Sequence, residues 1–73
     1  MIYNVDVTYD RKVNAYIATS KDVIGLAIEE YLFERLICRI RSAVPELLEL
    51  NHQEKAENIR IKVDFEMYVM PDN

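Results

Sequence analysis

The sequence predicts an α+β fold: three strands, one helix, a fourth strand, and two layers. Three observations carry that prediction. Apolar residues alternate with polar ones from Tyr3 to Tyr9 and again from Ile59 to Val69. Between them, Phe33, Leu36, Ile37, Ile40, Val44, Leu47 and Leu48 recur at helical spacing. Period 2 marks a half-buried strand and period 3.6 a helix with one buried stripe.

The first strand, Ile2 to Tyr9, sets Tyr3, Val5, Val7 and Tyr9 against Asn4, Asp6 and Thr8. Asp10, Arg11 and Lys12 break it. The second strand, Val13 to Thr19, alternates Val13, Ala15 and Ile17 against Asn14, Tyr16 and Ala18. The two form a hairpin, with Asn14 suited to a left-handed backbone. After the polar break at Ser20 to Asp22, Gly25 opens a short third strand, Leu26 to Glu29. As the only glycine, it marks a bend that a Cβ would obstruct. The helix is expected from Tyr31 to Leu50, about 30 Å long, with its stripe spanning about 120° of arc. Pro45 lies inside it, so a kink near Arg41 to Pro45, or a break with a second short helix, is expected. Asn51 to Glu57 reads as a polar loop, and Ile59 to Met70 as a long strand. A right-handed crossover through the helix makes the fourth strand parallel to the first, in the order 3-2-1-4.

Composition bounds the rest. The chain has 73 residues, enough for one domain over 1–73, with net charge −4 and 51% hydrophobic residues. That balance argues against nucleic acid or an anionic membrane surface as the main partner, since both reward positive charge. No apolar run reaches membrane-spanning length and the start is not a signal peptide, so the expected compartment is cytoplasmic. One cysteine excludes an internal disulfide. A core this small supplies only about 3–5 kcal/mol, which favours oligomerisation or a protein partner.

Few residues suggest chemistry. Asp6 and Asp64 fall on the strand faces turned from the helix, but Glu34 lies across the sheet, and two carboxylates make a poor Mg²⁺ site. They read as solvated residues screened by Lys62 or Arg60. Cys38 and His52 are 14 positions apart, roughly 20 Å along a straight helix, too far for a nucleophile pair. His52 has no companion at metal-ligand spacing and reads as a solvated loop residue or as one interacting with the helix C-terminus. Cys38 lies on the outward arc of the helix, partly buried beside Glu34 or at an interface. No catalytic, cofactor or metal residue is assigned. The interface candidates are Cys38 and the end of the last strand, Met67, Tyr68, Val69 and Met70, which should outrun its neighbour and support a homodimer by strand addition.

Several segments carry a resemblance: Tyr9-Asp10, Ala15-Tyr16-Ile17-Ala18-Thr19-Ser20-Lys21-Asp22-Val23-Ile24-Gly25-Leu26, Glu34, Leu36, and Ala43-Val44-Pro45-Glu46-Leu47-Leu48-Glu49-Leu50-Asn51. Together they resemble the HicB-like antitoxin family in its short single-domain branch, closely over 2–51 and by pattern in the last strand. Ile24 stands where that family usually has Pro, Asn14 where Gly is common, and Tyr31-Leu32 where a helix-capping residue is usual. The resemblance implies a partial ribonuclease-H-like fold used as a non-enzymatic binding module that masks a small basic ribonuclease toxin. The chain has no room for the DNA-binding domain of longer members, so operator binding is not expected of it. Its acidic charge suits a basic partner. The alternative is an orphan oligomeric protein that kept the fold without a toxin.

Overall fold

The computed structural model describes residues 1–53 and 58–67. The elements are β1 (Ile2–Asp10), β2 (Ala15–Thr19), β3 (Ala27–Glu30), α1 (Phe33–Leu50) and β4 (Arg60–Glu66). They form a four-stranded mixed sheet in the order β3-β2-β1-β4, with the helix on one face. β1 is antiparallel to β2 and β2 to β3, whereas β4 runs parallel to β1 with Val5 beside Val63. The core is Tyr3, Val5 and Val7 of β1, Ala18 of β2, Val23, Leu26, Ile28 of β3, and Leu36, Ile40, Val44 and Leu48 of α1.

β2 turns Tyr16 and Ala18 towards the helix, because Val7 pairs with Ala18 and Tyr9 with Tyr16. Cross-strand partners share a face, so β1 dictates the choice. Both alternating sets of β2 contain apolar residues, so its own pattern does not decide which faces the core. Val13 lies before the strand and is exposed.

The two connections of β2 depend on left-handed backbone. Asn14 has φ 53° and accepts a hydrogen bond from the Tyr9 hydroxyl at 3.0 Å. Gly25 has φ +83°, and a Cβ there would meet only Leu47 Cδ2, at 3.8 Å. Space is therefore available, and the expectation of an obstructed Cβ is corrected: glycine is needed for the dihedral itself.

Polar side chains hold the β2–β3 connection to its surroundings. Ser20 Oγ donates to the Asn4 carbonyl at 2.6 Å and accepts from the backbone N–H of Asp22 and Val23. Asp22 accepts from the Asn4 backbone N–H at 2.7 Å and from its side-chain amide. From the other side, Asn51 Nδ2 donates to the Ile24 carbonyl, Gln53 Nε2 to the Asp22 carbonyl, and the Ile24 N–H donates to Gln53 Oε1. A proline at position 24 has no N–H to make that last bond, so Ile24 and Gln53 belong together.

The helix is a single element from Phe33 to Leu50 with Pro45 inside it, so a break into two helices does not occur. It starts poorly: Leu32 at the N-cap makes no side-chain capping bond, and Glu34 is the acidic residue of the first turn. A serine at position 32 would accept an orphan N–H of that turn. Leu32→Ser should raise stability by about 1 kcal/mol, read as a higher denaturant midpoint with unchanged slope. The helix ends well. His52 takes the left-handed position at φ 54°, its N–H donates to the Glu49 carbonyl, and the Gln53 N–H donates to the Leu48 carbonyl at 2.9 Å. These two bonds form a Schellman closure, with histidine where glycine is usual. Of the two expectations for His52, the helix C-terminus is the one met: it is an exposed residue that closes the helix.

Candidate protein-binding site

The helix backbone lies nearest to β3 and β2, and its buried side chains also cover Tyr3, Val5 and Val7 of β1. Arg39 fixes one side of that position, donating from the helix to the Glu29 carbonyl and pairing with Glu30 at 3.4 Å. The Glu30 side chain is largely covered. On the other side the helix-facing side chains of β4 are left partly bare. Ile61 is half-buried, but Val63 is 36% and Phe65 43% exposed. A sheet four strands wide is broader than one helix, which is about 10 Å across with its side chains while strands are spaced about 4.8 Å apart.

Four aromatic rings gather at the uncovered end. Tyr16 is the hub, with ring centroids 5.0 Å from Tyr9, 5.4 Å from Phe33 and 6.0 Å from Phe65. Phe33 and Phe65 meet edge to face at 5.8 Å. One ring comes from each of β1, β2, α1 and β4. Edge-to-face pairs at these distances add about 0.5–1.5 kcal/mol beyond the area they bury. Phe33, placed in the buried stripe by its spacing, is 40% exposed, because it reaches past the helix-covered strands to Phe65. Tyr31 and Leu32, just before it, are also exposed. The result is an apolar, aromatic patch beside β4 on a chain of net charge −4. Patches of this kind mark protein contacts, where aromatic residues and methionine are over-represented.

The candidates read from the sequence fare unevenly. Met67 is exposed and lies beyond the end of β4, two residues after Phe65. The described part of the last strand, β4, pairs with Ile2 to Thr8 of β1 and does not outrun it, and the expected overhang falls on Met67 to Met70. Tyr68, Val69 and Met70 lie outside the described residues. Cys38 is exposed on the outward side of α1, away from the aromatic rings, and is not partly buried. Asp6 and Asp64 are direct partners across β1 and β4, both exposed, with Lys62 Nζ 3.8 Å from Asp64. Among the described residues no three His, Cys, Asp or Glu side chains gather as a metal site. The aromatic patch escapes a reading of the sequence because its members lie on four elements. One signal is present there: Tyr31-Leu32-Phe33 is an apolar run at an uncapped helix start.

Fold and site together define a class: a small sheet-and-helix module with an apolar patch and no gathered catalytic set among the described residues. The chain belongs to the family described as domain of unknown function DUF1902, whose model matches residues 2–70. It is similar to the crystal structure of hypothetical protein TTHA1013 from the extremely thermophilic bacterium Thermus thermophilus, at 27% identity and TM-score 0.83, covering 96% of this chain and 99% of that one. No curated protein matches. No helix among the described residues is long and apolar enough to cross a membrane.

Proposed function

We propose that the chain is a non-enzymatic protein-binding module that neutralises a small basic ribonuclease toxin by covering it, as the toxin-masking domain of HicB-like antitoxins does. The observation that carries this reading is the half-exposed aromatic patch of Tyr16, Phe33 and Phe65, which the helix leaves open. Net charge −4 supports a basic partner, because complementary potentials speed encounter and reject like-charged competitors. The resemblance from Tyr9 to Asn51, including the Ala43-Val44-Pro45-Glu46-Leu47-Leu48 helix end, supplies the toxin class and the partial ribonuclease-H-like description.

The test is co-expression with a small basic protein encoded beside this chain in its host. The intact chain should abolish that protein's ribonuclease activity and co-purify with it. Phe33→Ala should weaken the complex at least tenfold, about 1.4 kcal/mol. Because Phe33 is already 40% exposed, the fold should survive, read by an unchanged circular dichroism spectrum. Absence of any such neighbour, or a neighbour whose activity the chain does not alter, sinks the toxin reading and leaves the orphan oligomer.

A further inference from the structure

β4 is an edge strand, and its backbone polarity is set by one bond: the Arg60 N–H donates to the Met1 carbonyl at 3.3 Å. A residue in a strand turns its N–H and C=O to the same side, and the next residue turns both to the other. Arg60, Lys62, Asp64 and Glu66 therefore bond towards β1. Ile61, Val63 and Phe65 present their N–H and C=O outward, where no other described residue bonds to them.

The side chains add a second, independent constraint. Ile61, Val63 and Phe65 share the helix side of the sheet with Val5 and Val7, and Val63 and Phe65 are partly bare. The opposite side reads Arg60, Lys62, Asp64, Glu66, all exposed: two positive charges, then two negative. Reversing such a strand inverts the order of signs. Laid antiparallel against a second copy and centred on Val63, Arg60 faces Glu66 of the second copy and Lys62 faces Asp64 of the second copy. The same pairs repeat on the other side of the centre. These are the non-hydrogen-bonded positions, where side chains approach most closely and opposite charges stabilise. The hydrogen-bonded positions fall on Val63 with Val63 of the second copy and on Ile61 with Phe65 of the second copy. All the outward N–H and C=O groups of those three residues then find partners.

No neighbouring register does this. A slip of two residues in either direction sets Lys62 against Lys62 or Asp64 against Asp64 of the second copy. A slip of one sets charged residues against apolar ones and turns the two helices to opposite faces. In-register parallel pairing sets every charge against its like. Backbone direction, apolar face and charge order thus select the same arrangement.

We propose that the chain self-associates as a two-fold dimer through antiparallel pairing of β4 edges centred on Val63. Two four-stranded sheets then become one continuous sheet with both helices on one face. The exposed edge, otherwise an invitation to uncontrolled pairing, is closed. This goes beyond the toxin reading and names a second copy of the chain as one partner. The aromatic patch and the charged ladder lie on opposite faces of β4, so the two contacts are separable by mutation.

The test uses the full chain in sedimentation equilibrium. The unaltered protein should sediment at twice the chain mass. Lys62→Glu alone sets a carboxylate opposite Asp64 of the second copy, and Asp64→Lys alone sets an ammonium group opposite Lys62 of the second copy. Each should weaken the dimer at least tenfold. Mixed in equal amounts, the two variants should restore a dimer that contains one of each, and the double variant Lys62→Glu, Asp64→Lys should dimerise with itself. Both positions are exposed, so each variant should fold, which an unchanged far-ultraviolet circular dichroism spectrum checks. A monomeric parent at about 100 μM, single variants that dimerise as well as the parent, or a mixture that stays monomeric would each overturn the proposal. Toxin neutralisation is scored separately. Loss of dimerisation with neutralisation intact rejects only the edge pairing; a dimer that neutralises nothing rejects only the toxin reading.

Discussion

Leu36→Ala should lower the stability of the fold by about 3 kcal/mol, within the roughly 2–5 kcal/mol range of leucine-to-alanine changes in cores. Leu36 is fully buried in the cluster that joins α1 to β1, β2 and β3. Alanine has the highest helix propensity, so the loss is one of packing and not of helix formation. In a domain this small the total is only about 4–11 kcal/mol, at roughly 0.05–0.15 kcal/mol per residue. The variant should therefore unfold about 12–24 °C below the parent, at roughly 4–8 °C per kcal/mol. Leu50→Ala, at the exposed end of the same helix, serves as the control and should shift stability by less than about 0.5 kcal/mol. A thermal scan of the two variants checks both values. Equal, small effects would mean that the helix does not cover the sheet.

Gly25→Ala should cost about 1–2 kcal/mol, the penalty for placing an L-residue in left-handed backbone. The cause is distinguishable from crowding, because the nearest atom to the new methyl group is Leu47 Cδ2 at ordinary contact distance. Shortening the neighbour should not rescue the variant: Gly25→Ala combined with Leu47→Ala should be at least as unstable as the sum of the two single changes. Gly25→Asn should cost less than Gly25→Ala, since Asn tolerates positive φ. Denaturant midpoints for the series check the order. The effect should reach beyond the turn. The Ile24 and Asp22 carbonyls beside Gly25 accept the bonds from Asn51 and Gln53 that tie the turn to the helix end.

The capping change at Leu32 acts on the same helix from its other end. A capped start would steady Phe33 without altering its exposure, so the stability of the helix and the aromatic contact can be tuned apart.

Much of this is legible along the chain. The alternation of Tyr3, Val5 and Val7, the stripe of Leu36, Ile40, Val44 and Leu48, and the polar breaks between elements specify four strands, one helix, and the buried faces of β1 and α1. The handedness of the crossover then gives the order 3-2-1-4 and the parallel β1–β4 pair. Asn14 and the uncapped Leu32 can also be read, because caps and left-handed positions are local chemistry.

Other features belong to the tertiary structure alone. Which set of β2 faces the core follows from its pairing with β1, since Ala15 and Ile17 compete with Tyr16 and Ala18 on equal apolar terms. That the helix end is tied to the β2–β3 turn, through the side chains of Asn51 and Gln53, is likewise invisible along the chain. Periodicity does not tell whether the helix lies over β1 and β4 or over β2 and β3. It says that a stripe is buried but not where across a sheet it comes to rest. That lateral position belongs to the tertiary packing, in which Leu36 joins the core and Arg39 meets Glu30, and it leaves Phe33, Val63 and Phe65 half bare. Local pattern determines which residues seek burial; the width of a four-stranded sheet against a single helix decides which of them find it.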